Sequence, residues 1–152
     1  LWFIRDELPP PGLMDNFRQA VKMDAVVPVE RIADYIDAID GICRSLAPAA
    51  TPYIFGHVGD GNLHIHVLAP DDHAEAAKFD TLRPELYRRL DELTWSMGGS
   101  ISAEHGIGQE LLDRIVGQKQ PVEFDLMRAV KSAIDPFDIM NPGKTIPSTP
   151  AP

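Results

Sequence analysis

Three of the five histidines, His57, His64 and His66, fall within ten residues, inside two runs of strand composition, Tyr53-Ile-Phe-Gly-His-Val and Leu63-His-Ile-His-Val-Leu. Gly59-Asp60-Gly61-Asn62 stands between the runs and predicts a β-hairpin. Taking Asp60-Gly61 as a two-residue turn sets His57 directly across from His64, and Phe55 across from His66. Cross-strand partners have Cβ atoms ~4.5–5.5 Å apart, and an ion ~2.0–2.1 Å from each imidazole nitrogen fits between two such rings. His57 and His64 are thus a candidate chelate. Alternation puts Leu63, Ile65 and Val67 on the opposite face, as core, while His66 shares the histidine face. Histidines on a sheet face are also common as hydrogen-bonded surface residues, so two of them do not make a metal site alone. Glu104, in Glu104-His105-Gly106, supplies what is missing. A loop carboxylate completes a two-histidine, one-carboxylate set with open coordination positions, the pattern of catalytic rather than structural sites. His105 is then available as a base, because a side chain with a reference pKa near ~6.5 can take a proton at neutral pH. The plainer reading of His105 is a histidine at a helix start.

Other residues have mainly structural explanations. Gly56, Gly59 and Gly61 suit turns and close packing, and the short loop they form has neither the length nor the trailing helix of a phosphate loop. Asp60 and Asn62 have the spacing of calcium-loop ligands, but the other ligand positions are missing. Cys43 falls on an apolar helical stripe and reads as inert; Tyr87 and Trp95 read as core or interface anchors.

The elements that must carry these groups follow from periodicity. Asp24 to Val27 is a strand stopped by Pro28, which suits the first turn of a helix. Val29, Ile32, Ala33, Ile36, Ile39, Cys43 and Leu46 then recur at three and four, with Glu30, Asp34, Asp37 and Asp40 as the wet face. Asp72 with Glu75 resembles a capping box, and Phe79, Leu82, Leu86, Leu90, Leu93 and Met97 keep a helical stripe to Gly98-Gly99, with Pro84 expected to kink or restart it. Two further helices are expected, one from about Ile107 to Val116 and one opened by Pro121, with Val122, Leu126, Val130 and Ala133 as its stripe and Asp135-Pro136 as its end. The order predicts an α+β fold, a small antiparallel sheet with helices packed on one face and C-terminal helices after it.

The chain has 152 residues, enough for one domain with its own core. Fourteen basic against 23 acidic residues give a net charge of −9, which lacks the electrostatic footprint of a nucleic-acid or anionic-membrane binder. No apolar run approaches the ~20 residues a membrane helix needs, and one cysteine makes no internal disulfide, so the cytoplasm is the expected compartment. The start, Leu1-Trp-Phe-Ile-Arg, reads as the inside of an element, and the chain is expected to be an excised piece of a larger protein. Pro9-Pro10-Pro11 and the prolines from Pro147 to Pro152 mark breaks, and 147–152 is expected to be a disordered tail.

Three segments, in order, carry a family resemblance: Gly56-His-Val-Gly-Asp-Gly-Asn-Leu-His64, Ser100-Ile-Ser-Ala-Glu-His-Gly-Ile-Gly108, and Met127-Arg-Ala-Val-Lys with Asp135-Pro136 and Met140-Asn-Pro-Gly-Lys144. They resemble the C-terminal part of the FAD-linked oxidase family, which includes D-lactate dehydrogenase, the glycolate oxidase flavoprotein subunit and D-2-hydroxyglutarate dehydrogenase. The resemblance runs from Trp2 to Ile146. It implies that residues 1–146 are a substrate- and metal-binding cap, ferredoxin-like in fold, of a flavoenzyme whose N-terminal FAD-binding domain is absent here.

By the same resemblance His57, His64 and Glu104 match the ligands of a divalent metal, zinc or manganese, and His105 matches the base. Arg5 and Lys22 fall where the family places cations for the substrate carboxylate, and an Arg fork suits a carboxylate. Asn141 and Lys144 lie in a terminal loop that returns near the flavin. The implied reaction oxidises a small D-2-hydroxy acid, of the lactate, glycolate or 2-hydroxyglutarate type. The metal lowers the pKa of the 2-hydroxyl, His105 takes its proton, and the C2 hydrogen leaves as hydride to FAD.

Two departures bear on substrate. His66 stands where some relatives carry another polar residue, which leaves it a fourth ligand, a substrate contact or a bystander. Pro9-Pro10-Pro11 interrupts the stretch where relatives continue a helix. The electron acceptor is not readable; a homodimer, and a peripheral place at the inner membrane through an electron-transfer partner, fit the reading. Two rivals stand beside it. One is a metal-dependent or histidine-triad-like hydrolase, although position 68, where a third alternating histidine is needed, is Leu68. The other is a non-catalytic binding or dimerisation module.

Overall fold

The computed structural model describes residues 20–147. Arg5, the Pro9-Pro10-Pro11 break and the tail beyond Pro147 lie outside the described residues. The chain divides into two compact units, Leu1–Ala103 and Glu104–Pro152.

In the first unit, strands β1 (Val21–Val26), β2 (Thr51–His57) and β3 (Asn62–Leu68) form an antiparallel sheet in the order β1-β3-β2. A 3-10 turn, Val29–Arg31, leads into helix α1 (Ile32–Leu46), and helix α2 (His73–Ser96) follows β3. This is the expected α+β arrangement. Alternation of the strands decides the layering, because successive side chains point to opposite faces. Val21, Met23 and Ala25 of β1 and Leu63, Ile65 and Val67 of β3 are buried with Ile32, Tyr35, Ile39 and Cys43 of α1 and Phe79, Leu86 and Leu90 of α2. The other sheet face carries the histidines.

The outer edge of β1 is covered by its own unit. Val26 and Ser100 exchange backbone hydrogen bonds of 2.9 Å, Ala103 N–H donates to the Asp24 carbonyl at 3.1 Å, and Lys22 N–H donates to the Tyr87 hydroxyl at 3.1 Å. A paired edge is closed to further strands. Tyr87 is thus half-buried against the core and also satisfies a strand-edge donor. Asp72 caps α2, its side chain accepting from Ala74 and Glu75 N–H at 3.0 Å.

Several expectations need correction. β1 begins at Val21 rather than at Asp24, so Lys22 and Asp24 are strand residues. The hairpin connection is a 3-10 turn, Val58–Asp60, closed by Gly61 in the left-handed region at φ 75°, rather than a two-residue Asp60-Gly61 turn. The reason is tertiary: Val27 N–H donates to the Gly61 carbonyl at 3.1 Å, so the end of β1 recruits the turn. On α1 the buried stripe includes Tyr35, while Ala33, and Val29 in the 3-10 turn before it, are exposed. Asp34 and Asp37 of the helix and Glu30 of the 3-10 turn are exposed, as expected. α2 runs on through Pro84 without restarting.

In the second unit helix α3 covers only Leu112–Ile115, far less than the expected Ile107 to Val116, and α4 spans Pro121–Ile134. Gln120 and Glu123 form a capping box at the start of α4, and Asp135 ends it. Its buried residue is Phe124, and the expected core stripe of Val122, Leu126 and Val130 is exposed. Periodicity identifies one apolar side of a helix but does not supply the neighbour that would cover it.

Candidate metal and substrate site

Register places the histidine face in three rows across the sheet. Lys22, His66 and Tyr53 form one row; Asp24, His64 and Phe55 the next; Val26, Asn62 and His57 the third. His57 is therefore not directly opposite His64, as a two-residue turn would make it, but diagonal to it. The two rings are still neighbours, set edge to face with centroids 6.5 Å apart and planes at 76°. Diagonal neighbours on a sheet stay within reach of ring-bearing side chains. Phe55 sits between the histidines, its ring 5.2 Å from both His64 and His66.

One residue that sequence reasoning missed as a site residue is Asp24. It is 7% exposed, its Oδ2 accepts from Ala103 N–H at 3.0 Å, and its Oδ1 lies 3.6 Å from His64 Nδ1. The signal was present: a charged residue between the apolar Met23 and Ala25 of a strand must face a polar partner or be expensive to bury. What the sequence did not contain was the partner, because β1 meets β3 only in the fold. Asn62, also buried, has an amide oxygen with no hydrogen-bond partner among the described residues. Imidazole nitrogens are donors of zinc and manganese sites, so the two histidines of this face fit such an ion.

Beside it, Lys22 is exposed and His66 half-buried in the same row. Burial pushes the His66 imidazole down to about 4, with the Lys22 ammonium and His64 adding to the effect. His66 is thus neutral at pH 7, and the positive charge of the row belongs to Lys22. Cys43 is buried in the core of the same unit with its thiol pushed up to about 11 by burial and by Asp40, and takes no part.

In the second unit Glu104 and His105 are both exposed, with His105 Nε2 3.6 Å from Glu104 Oε1. They open a loop in which Gly106 and Gly108 take positive φ. Thr145 N–H donates to the Gly108 carbonyl at 2.7 Å, which ties the terminal loop to this one. The terminal loop carries Asn141, at φ 49°, and Lys144, whose ammonium donates to the Pro142 carbonyl at 3.4 Å. Asp135 holds the loop's beginning: its carboxylate pairs with Lys131 and accepts from Ile139 and Met140 N–H at 3.0 and 2.8 Å. The Lys131 ammonium and those N–H groups keep the Asp135 carboxyl below the usual carboxylate range. An amide and an ammonium are donors that suit the carbonyls or phosphates of a flavin cofactor. Arg5, the other expected carboxylate binder, lies outside the described residues.

The family of FAD linked oxidases, C-terminal domain, matches residues 1–145. The chain is similar to a D-2-hydroxyglutarate dehydrogenase of Stutzerimonas stutzeri (strain A1501), 37% identical over 123 residues, covering 81% of this chain and 26% of that protein. It is also similar to the mitochondrial D-2-hydroxyglutarate dehydrogenase of Rattus norvegicus, 36% identical over 149 residues, 97% of this chain and 26% of that one. A D-lactate dehydrogenase of Archaeoglobus fulgidus is 37% identical over 124 residues, 82% of this chain and 26% of its own length. The chain thus spans about a quarter of the length of these curated relatives.

Proposed function

Because the chain belongs to the family of C-terminal domains of FAD linked oxidases, we propose that it is the substrate- and metal-binding part of an FAD-dependent dehydrogenase acting on a D-2-hydroxy acid. The observation that carries this reading is the histidine face: two imidazoles with centroids 6.5 Å apart, one of them against a buried carboxylate, beside a row holding a cation and a neutral histidine.

In this reading His57, His64 and Glu104 hold a divalent ion, zinc or manganese, and Arg5 and Lys22 hold the substrate carboxylate. When bound, the ion supplies a positive centre that eases deprotonation of an alcohol, and the flavin supplies an acceptor for the C2 hydrogen with its electron pair. His105 takes the hydroxyl proton on a ring nitrogen. Lys22 binds a carboxylate oxygen through a charge-assisted hydrogen bond, and His66, being neutral, orients the acid by hydrogen bonding without adding charge. Asn141 and Lys144 meet the flavin from the terminal loop.

Metal analysis of the purified chain is the first test. Stoichiometric zinc or manganese is expected, lost in His57→Ala and in Glu104→Ala. A metal-free protein with an intact fold removes the ion from the reading. The complete gene product should be yellow with FAD and should bleach on anaerobic addition of D-lactate, glycolate or D-2-hydroxyglutarate. A product that stays colourless when given FAD refutes the flavin assignment, and the acid that bleaches fastest identifies the substrate.

A further inference from the structure

We propose that Asp24 is a positioning residue of this centre: its carboxylate orients the His64 ring so that Nε2 is the atom offered to the ion. The inference rests on the reading of His57 and His64 as metal ligands.

Asp24 stands directly opposite His64 across the β1–β3 ladder, and its Oδ1 lies 3.6 Å from Nδ1 of that ring. A neutral imidazole carries its proton on one nitrogen, and a carboxylate facing Nδ1 favours the form with the proton there. The lone pair is then on Nε2, the far side of the ring. Carboxylates placed in this way behind metal-binding histidines fix both the tautomer and the ring orientation. The other oxygen of Asp24 is also committed. Oδ2 accepts from Ala103 N–H at 3.0 Å, and Ser102 bridges to Asp24 alongside β1. One buried carboxylate therefore faces the back of His64 and accepts from Ala103, whose next residue in the chain is Glu104. The same Ala103 N–H also donates to the Asp24 carbonyl at 3.1 Å, so a single donor meets both the backbone and the carboxylate of Asp24.

Asp24→Asn separates a positioning role from a merely structural one. Its amide oxygen can still accept from Ala103 N–H, but its NH2 group then faces His64 Nδ1 and favours the opposite tautomer, with the proton on Nε2. Long-range proton–nitrogen NMR correlations of the metal-free full chain read the tautomer, and competition against a chelating indicator reads zinc(II) affinity. Wild type should hold the His64 proton on Nδ1. Asp24→Asn should move it to Nε2 and weaken zinc binding by about 10–100-fold, with Asp24→Glu recovering part of the affinity. Wild-type His64 protonated on Nε2 overturns the proposal and needs no variant to be seen. So does unchanged affinity in Asp24→Asn when wild type binds zinc stoichiometrically. Complete loss of zinc with the tautomer unmoved makes Asp24 a ligand rather than a positioning residue, which also overturns it. If wild type binds no zinc, the metal reading itself fails, while the tautomer measurement still decides whether Asp24 orients the ring.

Discussion

A Cβ added at Gly61 would stand 2.1 Å from the Val27 carbonyl oxygen, and the residue takes φ 75°. The obstacle is the Val27 backbone, which cannot swing aside as a flexible side chain would. Gly61→Ala should therefore destabilise the protein by more than ~1–2 kcal/mol, the left-handed penalty alone for a residue with a side chain. Gly59, in the same loop, has nothing within 4 Å of its added Cβ, and Gly59→Ala should be near neutral. Paired urea unfolding curves check both, and equal losses would remove the Val27 contact as the cause. The same residue decides the site, since the turn that Gly61 closes sets His57 one row from His64. Zinc retention should fall in His64→Ala as in His57→Ala, measured by metal content after dialysis. That the histidines share a face was legible from alternation, a property of the strand alone. Their offset was not, because it depends on a hydrogen bond between the turn and Val27.

At the scale of elements, α1 and α2 are joined in the core by a polar contact. The Tyr35 hydroxyl lies 2.6 Å from Thr94 Oγ1, and Thr94 donates its own proton to the Leu90 carbonyl at 2.7 Å, so Tyr35 is the donor of the pair. Thr94→Val keeps the shape but strands the buried Tyr35 O–H, at a cost of ~1–3 kcal/mol, whereas Tyr35→Phe removes only the bond, at ~0.5–1.5 kcal/mol. Thermal melts of the two variants should rank in that order. Burial also pushes the Tyr35 hydroxyl up to about 12. Unfolded, the same group ionises near ~10. The folded state therefore binds the extra proton between those values, and stability present below about pH 10 should fall as pH rises toward about 12. Tyr35→Phe should flatten that fall, which denaturation at a series of alkaline pH values can measure. The helix itself was legible from its three-and-four spacing, yet its stripe omitted Tyr35 because an aromatic with a polar tip can be core only where a partner such as Thr94 waits for it.

For the whole molecule, a net charge of −9 gives no general attraction for an anionic acid, so in the proposed function the role given to Lys22 is a local one. In the complete flavoprotein Lys22→Met should raise KM for the hydroxy acid by about 10–100-fold, the worth of a charge-assisted hydrogen bond, with kcat changed less. Steady-state kinetics test this, and an unchanged KM removes Lys22 from the carboxylate site. Among the described residues no helix is long and apolar enough to cross a membrane. By itself the sequence determined the element types, the histidine face and the family motifs, because strand and helix periods and short motifs are local properties of a chain. The tertiary structure alone decided the row in which each histidine stands, the burial of Asp24 behind His64 and the exposure of the α4 stripe. Those depend on which distant segments pair, and pairing is settled by packing and hydrogen bonds between residues far apart in the chain.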